Sequence, residues 1–378
     1  MPDSSQYDIL SLLSGGLDSI LASRLMQQLG KRVLCLHFVT PFFGKPHFVN
    51  KWKEVYGLDV LPVDVSEEFI AMLARGPEHG FGKVLNPCID CKILLLRKAK
   101  SLMPRYGATT LITGEVLGQR PMSQRKDALN IIRNEAGVGD ILLRPLCAKL
   151  LPEIPAEKSG LIDRSRLKAF FGRGRKAQLS LAAEYGIMDI PTPAGGCLLT
   201  EVETAKGYWP VLRLQTGPLP DDFRLAKAGR QFWSPAPAPR WLIVGRTQAD
   251  NEKLCALASE TDLLFSLENF TGPTALGRNA VTAWPEALVR SAAAHMAAFS
   301  GKAVAYARET GHPVRVLARR AGAENGESML VTPEKDAAGW GEISWPQAKE
   351  EIRAQARKMA ERGKQGGEYV CPNKIEPA

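Results

Sequence analysis

An apolar run, Ile9-Leu10-Ser11-Leu12-Leu13, stops at Ser14-Gly15-Gly16-Leu17-Asp18-Ser19, and a helix-like stretch, Ile20 to Met26, begins at once behind it. A strand that passes through paired glycines straight into a helix leaves several backbone N–H groups pointing into one small space at the helix N-terminus. Such a cradle suits phosphate. The loop lacks the lysine of a Walker loop and the third glycine of a dinucleotide fingerprint, so neither of those geometries fits.

The first half of the chain alternates strand and helix signals. Val33 to Val39, Val60 to Val65 and Thr109 to Gly114 read as strands, with helices around Asn50 to Tyr56, Glu67 to Ala74 and Cys91 to Tyr106. Alternation of this kind predicts an α/β fold, a doubly wound parallel sheet that binds ligands at the carboxyl ends of its strands. Ser14 to Ser19 and Gly114-Glu115 both follow strands, so they can converge on one nucleotide. With 378 residues the chain has room for two cores. Pro218-Leu219-Pro220 and Ser234 to Pro239 read as extended spacers. The expected division is residues 1–205, a linker at 206–239, a smaller C-terminal α+β domain at 240–345, and a charged helix and tail at 346–378. No basic, apolar leader and no run long enough to span a membrane are present, which predicts a cytoplasmic protein without a membrane partner.

Seven cysteines without a dense spacing framework argue for reduced thiols with chemical roles. Cys88-x-x-Cys91 sits at the start of a helix, where thiol pKa values fall, and Cys197 lies in a glycine loop, Thr192 to Cys197. Three thiolates leave one iron of a 4Fe-4S cluster open to an exogenous group. Two alternatives stand beside this metal reading: a zinc site with Cys371 as fourth ligand, and a metal-free persulfide or disulfide couple between Cys88 and Cys197. Cys35, Cys147 and Cys255 read as ordinary buried small hydrophobes.

Ser14 to Ser19 resembles the PP-loop of ATP pyrophosphatases, which split ATP between the α and β phosphates. Asn86-Pro87-Cys88-x-x-Cys91-Lys92, Thr113-Gly114-Glu115-Val116-Leu117-Gly118-Gln119 through Ser123-Gln124, and Leu143-Arg144-Pro145-Leu146 extend the resemblance. Together they look like the motifs of tRNA thiouridine synthetases, the 4-thiouridine synthetases and 2-thiouridylases, over about residues 5 to 200. The resemblance implies ATP and Mg2+ as cofactors. Ser14, Gly15, Gly16, Asp18 and Ser19 would hold pyrophosphate and magnesium, Gly114 and Gln119 would lie by the adenylate, and His37 and Phe38 would border the adenine mainly through backbone. Cys88 and Cys197, with Asp18, would be catalytic, and Cys88, Cys91 and Cys197 would hold the cluster, as in cluster-dependent members. Inorganic sulfide or a cysteine desulfurase would supply sulfur. The ferredoxin-like and THUMP domains that precede the loop in 4-thiouridine synthetases have no counterpart here, and no rhodanese-like domain is apparent.

Residues 225 to 345, through Trp241-Leu242-Ile243-Val244-Gly245-Arg246, Asp250-Asn251, Asp262 to Phe265 and Phe270 to Ala275, resemble the RNA-binding domain of the NFACT proteins. Arg240, Arg246, Arg278, Arg315, Arg319 and Arg320 would then meet phosphates. The alternative is a generic α+β module for packing or a homodimer, and the oligomeric state stays open. A net charge of +9 fits an anionic partner, tRNA or another RNA. Arg164, Arg166, Arg173, Arg175 and Lys176, with Phe170 and Phe171 among them, are candidates to line its path. The expected function is that of an ATP-dependent RNA sulfurtransferase that adenylates a pyrimidine carbonyl and replaces its oxygen with sulfur. Sulfur transfer to a small molecule or carrier protein, and a non-catalytic RNA- or ribosome-binding factor, are the alternatives.

Overall fold

The computed structural model describes residues 6–120, 122–191, 196–235 and 237–364, with side chains described up to residue 354. The chain divides into two compact units, one running up to Glu201 and one spanning Val202–Ala354. In the first, β1 (Ile9–Leu12), α1 (Leu17–Gln28), β2 (Val33–Val39), α2 (Val49–Tyr56), β3 (Asp59–Asp64) and α3 (Ser66–Arg75) alternate, followed by α4 (Cys88–Tyr106) and β4 (Thr110–Thr113). Then come α5 (Lys126–Glu135), β5 (Leu142–Leu143), α6 (Pro155–Lys158) and α7 (Lys176–Glu184). All strand neighbours are parallel, in the order β3-β2-β1-β4-β5. This is the doubly wound sheet that the alternation predicts.

Successive strand residues feed two different cores, which is why β1 and β2 are apolar on both faces. Ile9, Val33 and Cys35 pack with α1 and α7, while Leu10, Leu12, Leu34 and Leu36 pack with α4. Strand order reverses beside β1, whose two neighbours are β2 and β4. The crevice at the carboxyl ends of β1 and β4 is therefore the topological switch point, and both the Ser14 to Ser19 loop and Gly114 open into it.

Two buried polar groups hold this end of the sheet. Glu115 accepts hydrogen bonds at Oε2 from Arg144 Nε (2.9 Å) and Thr113 Oγ1 (3.0 Å), and Lys92 Nζ stands 3.6 Å from its Oε1. Burial pushes the Glu115 carboxyl up, but Lys92 and Arg144 outweigh it and hold the group below the usual range. His37, on β2, is buried with both ring nitrogens engaged: Nδ1 lies 2.9 Å from the Leu13 carbonyl, and Nε2 accepts from the Lys45 N–H at 2.7 Å. That pair of partners fits one neutral tautomer, and burial lowers its pKa.

The second unit is an antiparallel sheet with helices. Its elements are α8 (Val202–Leu214), α9 (Pro220–Leu225), β6 (Arg230–Trp233), β7 (Trp241–Val244), α10 (Gln248–Leu257), β8 (Leu263–Leu267) and β9 (Ala275–Gly277). These continue through α11 (Ala280–Ala283), α12 (Glu286–Ala297), α13 (Gly301–Thr310), β10 (Val314–Arg320), β11 (Glu327–Val331) and α14 (Trp345–Lys364), which belongs to this unit up to Ala354. Strand order is β11-β10-β8-β9-β7-β6. Residues 206–239 thus carry most of α8, then α9 and β6, with Pro220 as the first residue of a helix. Arg278, expected to meet phosphate, is instead buried, with Nε 2.8 Å from Asp222 Oδ1 and Nη1 2.8 Å from Asp262 Oδ2. Two buried carboxylates on neighbouring elements need that guanidinium, and no face of it reaches an RNA.

Arg144→Met should destabilise the first unit by about 3 kcal/mol, because it leaves the Glu115 carboxylate buried with fewer counter-charges. Glu115→Gln placed in the same chain should recover part of that loss in urea unfolding. For His37 the folded pKa lies below the ordinary 6.5, so its contribution is complete above that value and is lost as pH falls below it. The first unit's thermal midpoint should decline from pH 7 towards pH 5, and His37→Gln should flatten that decline.

Candidate active site

The loop geometry depends on two glycines. Gly15 has φ +78°, and a side chain there would meet Trp52 Cζ2 at 2.5 Å. A Cβ on Gly114 would stand 2.5 Å from the backbone of Asp18 and Ser19. The end of β4 therefore touches the first turn of α1 directly, and only glycine fits. Within the loop, Ser19 Oγ donates to the Gly16 carbonyl at 2.8 Å, the Gly16 N–H donates to Ser14 Oγ at 3.4 Å, and the two serine hydroxyls lie 3.3 Å apart. No side chain caps α1, so its first N–H groups remain directed at the crevice.

Asp18 is the acidic residue of that first turn. Gln119 Nε2 donates to Asp18 Oδ2 at 3.0 Å, while Asp18 Oδ1 is buried without a hydrogen-bond partner. Burial pushes this carboxyl above the usual range, although Gln119, Arg175, Gln178 and Arg120 pull the other way. A buried carboxylate oxygen with no donor is what a divalent cation would complete. His37 and Phe38 are buried, and the His37 ring packs on Trp52 at 4.5 Å. With both ring nitrogens used, His37 has only its backbone to offer a ligand.

The three singled-out thiols come together. The backbone N–H of Leu198 donates to Phe42 O at 2.9 Å, and that of Leu85 to Leu199 O at 3.0 Å, so the segment carrying Cys197 docks on the loop before α4. Asn86 Nδ2 donates to Cys88 Sγ at 3.1 Å and approaches Met122 Sδ at 3.6 Å. The helix starts at Cys88, one turn ahead of the expected Cys91. Cys91 departs from the lowered pKa expected at a helix start. Burial, then the neighbouring Cys197, pushes the Cys91 thiol up, and burial with Cys88 nearby pushes Cys197 up to about 12. At Cys91, burial and the sulfur beside it outweigh what the helix N-terminus contributes. Among the described residues no group of three His, Cys, Asp or Glu side chains is arranged to hold a metal ion. Cys371 lies outside the described residues.

Of the other cysteines, Cys35 and Cys147 are buried as expected, but Cys255 is exposed, being on the solvent side of α10. The basic segment divides. Arg164 is committed within its own unit, to Glu157, Ala148 O and Leu151 O. Arg166 is exposed and donates to Gln28 O at 3.2 Å, while Arg173 and Lys176 are exposed and Arg175 is half-buried. Phe170 packs against the core, whereas Phe171 is 71% exposed and lies on Gly118. In the second unit Arg246 pairs with Asp250 at 2.8 Å and remains half exposed. Sequence reasoning missed Trp52, which fills the space over Gly15, and Gln178, whose buried polar side chain on the apolar-periodic α7 was the available signal.

Residues 4–154 match the family model of the thiamine biosynthesis protein ThiI. The tRNA sulfurtransferase of Blochmanniella pennsylvanica (strain BPEN) is 32% identical over 176 residues, 44% of this chain and 32% of the relative. That of Sodalis glossinidius (strain morsitans) is 33% identical over 162 residues, 38% of this chain and 30% of the relative. The chain thus spans about a third of the length of these curated relatives. A predicted subunit of tRNA methyltransferase from Methanocaldococcus jannaschii aligns over 47% of this chain and 76% of its own, with 13% identity and a TM-score of 0.31, too slight to bear on the fold. The matched segment, residues 4–154, holds the Ser14 to Ser19 cradle and the parallel sheet behind it, so these are the parts of the chain that are similar to the ThiI family.

Proposed function

We propose that the chain is an ATP-dependent RNA sulfurtransferase, with tRNA as the substrate, in which the PP-loop unit adenylates a pyrimidine carbonyl and the cysteine trio delivers sulfur. One connection carries this reading. Lys92, next to Cys91, reaches Glu115 at 3.6 Å, and Glu115 follows Gly114, which packs on Asp18. Asn86 makes a second tie, from Cys88 to Met122 in the loop that begins with Gln119. Phosphate cradle and thiols are thereby parts of one polar assembly at one end of one sheet.

In this reading the open N–H groups of α1 and the hydroxyls of Ser14 and Ser19 bind the phosphates. Asp18 Oδ1 would hold Mg2+, which when bound supplies charge neutralisation on the phosphate oxygens. Gln119 fixes the other carboxylate oxygen, so the free one keeps its direction. The base oxygen attacks the α-phosphorus and pyrophosphate leaves. The C–O bond is then activated, because AMP departs far more readily than oxide or hydroxide from an amide-like carbon. A terminal sulfur on Cys88 adds to that carbon and AMP leaves with the former base oxygen. Cys197 then attacks the Cys88 sulfur, releasing the thiolated base and leaving a Cys88–Cys197 disulfide, so the sulfane sulfur is reduced and the two thiols are oxidised. A cysteine desulfurase would pass sulfane sulfur to Cys88 once a thiol reductant has opened the disulfide; inorganic sulfide would instead attack the disulfide itself at Cys88, leaving a Cys88 persulfide and the Cys197 thiolate. The cluster alternative rests on the same three sulfurs and would need all three thiolates.

For the second unit we infer RNA contact through phosphates. Alternation along β10 turns Arg315 to the exposed side of the sheet, with the half-buried Arg319 next on the same face, while Val314, Val316 and Ala318 are buried. Arg246 and Arg320 add exposed charge, whereas Arg278 is spent internally.

Asp18→Ala should lower RNA-dependent pyrophosphate release by more than about a hundredfold while leaving RNA binding unchanged; undiminished ATP cleavage would remove Asp18 from the reaction. The thiols are tested by replacing each with Ser and measuring thiolated nucleosides by mass spectrometry, alongside iron and sulfide content. The persulfide route predicts loss at Cys88 and Cys197, near-normal turnover for Cys91→Ser, and activity in iron-free protein. Joint loss of iron and activity in all three variants selects the cluster instead.

A further inference from the structure

Phe170 and Phe171 are adjacent and point opposite ways. Phe170 packs against the core of the first unit, and its N–H donates to Leu146 O at 2.8 Å, which pins the backbone to the segment after β5. Leu117 and Phe171 form a parallel bridge, and the N–H of Gly172 donates to Leu117 O at 2.8 Å. Bridged backbone turns successive side chains to opposite sides, so seating Phe170 inward directs Phe171 outward. A ring that is 71% exposed is thus carried on a segment held at two points.

Its place is as particular as its support. The ring lies on Gly118, where a Cβ would stand 3.3 Å from Phe171 Cε2. The next residue is Gln119, whose amide donates to Asp18 Oδ2 at 3.0 Å. Phe171 therefore stands beside the Ser14 to Ser19 crevice, one residue along the chain from the group that sets Asp18. On its other side follow Arg173 and Lys176, both exposed. A lone apolar side chain on a surface is ordinary. This one joins a fixed backbone, a glycine that leaves room for the ring, and cations beyond it.

The openness of the ring argues for the kind of ligand. Small-molecule sites enclose most of what they bind, whereas Phe171 presents a surface to solvent. Such a surface suits a flat group that belongs to a large polyanion, with Arg173 and Lys176 positioned for its phosphates. An aromatic ring stacks on the face of a base, and within a duplex both faces are covered by neighbouring bases. Only a base drawn out of its helix can lie on the ring.

We propose that Phe171 is the platform on which the acceptor pyrimidine stacks, unpaired and outside its helix, while its carbonyl is presented to the nucleotide. The assignment rests on the RNA sulfurtransferase reading above and adds to it that the target base is taken in the unstacked state. Phe170, committed to the core, takes no part.

The test uses the full-length chain and unfractionated tRNA from a strain lacking its gene, with pyrophosphate release followed against tRNA concentration. Phe171→Ala should lower kcat/KM for tRNA about tenfold. Its thermal midpoint and ATP affinity should match the parent's, since the ring is exposed and lies outside the cradle. Phe171→Tyr and Phe171→Trp keep a planar π face and should restore turnover, whereas Phe171→Leu, apolar without one, should not. A second readout is independent of catalysis: tRNA should quench the indole of Phe171→Trp beyond any change in the parent's own tryptophans. Parent-like turnover in Phe171→Ala, full rescue by leucine, or an unquenched indole each overturns the proposal. So does a loss of ATP affinity, which would give the ring to the adenine instead. A parent protein that shows no RNA-dependent pyrophosphate release would overturn the function proposed above, while the quench still decides the stack.

Discussion

The contact between Gly114 and the backbone of Asp18 and Ser19 fixes most of what this chain can do. A Cβ would stand 2.5 Å from three backbone atoms there, and none of them is the far end of a flexible side chain. Any other residue would push the end of β4 away from α1, and the sheet's switch point would open. The crevice would then lose both its floor and the aim of Gln119, whose amide holds Asp18 Oδ2 at 3.0 Å. The next residue, Glu115, fastens the same point from the other side through Arg144, on the segment after β5, and Lys92, on α4. Close backbone approach sets the distance, and a buried ionic cluster keeps it from relaxing.

Much of the first unit was legible because its signals are local. A continuous apolar strand running into Ser14-Gly15-Gly16 can hardly fold another way, and β2 spans the same residues, Val33–Val39, that its pattern marks. α4 begins at Cys88, where the Cys88-x-x-Cys91 motif marks a helix start, and proline just before a first turn costs a helix nothing. β5, with two residues, is too short to have a pattern, and its place is set by pairing to Leu111 and Ile112. Arg278 illustrates the opposite limit. Its sequence neighbours give no sign that Asp222 and Asp262 will close on it from 56 and 16 residues away.

Thiol chemistry showed a similar division. The grouping of Cys88, Cys91 and Cys197 could be read from motif order, but their electrostatic state could not. A lowered pKa at a helix start assumes an isolated thiol near water. Cys91 and Cys197 instead share a poorly solvated space, where burial and the other sulfurs push both thiols up. Neutral thiols are weak nucleophiles, and positive charge beside a thiol favours the thiolate. Lys92 is the nearest such source among the side chains that act on Cys91, and it is already shared with Glu115.

That sharing gives the assembly its directionality. Glu115 draws Lys92 towards the Gly114 end of the crevice, while Cys91, one residue earlier on α4, lies by Cys88 and Cys197. Under the proposed function, a phosphate bound against α1 would set negative charge on the far side of Gly114 from Glu115, the carboxylate that shares Lys92. Under that function, the charge held in the cradle would then be felt at the thiols through these two side chains. Coupling of this kind needs the short path of one lysine and one glutamate, and the close seat of Gly114 against α1 is what makes the path short.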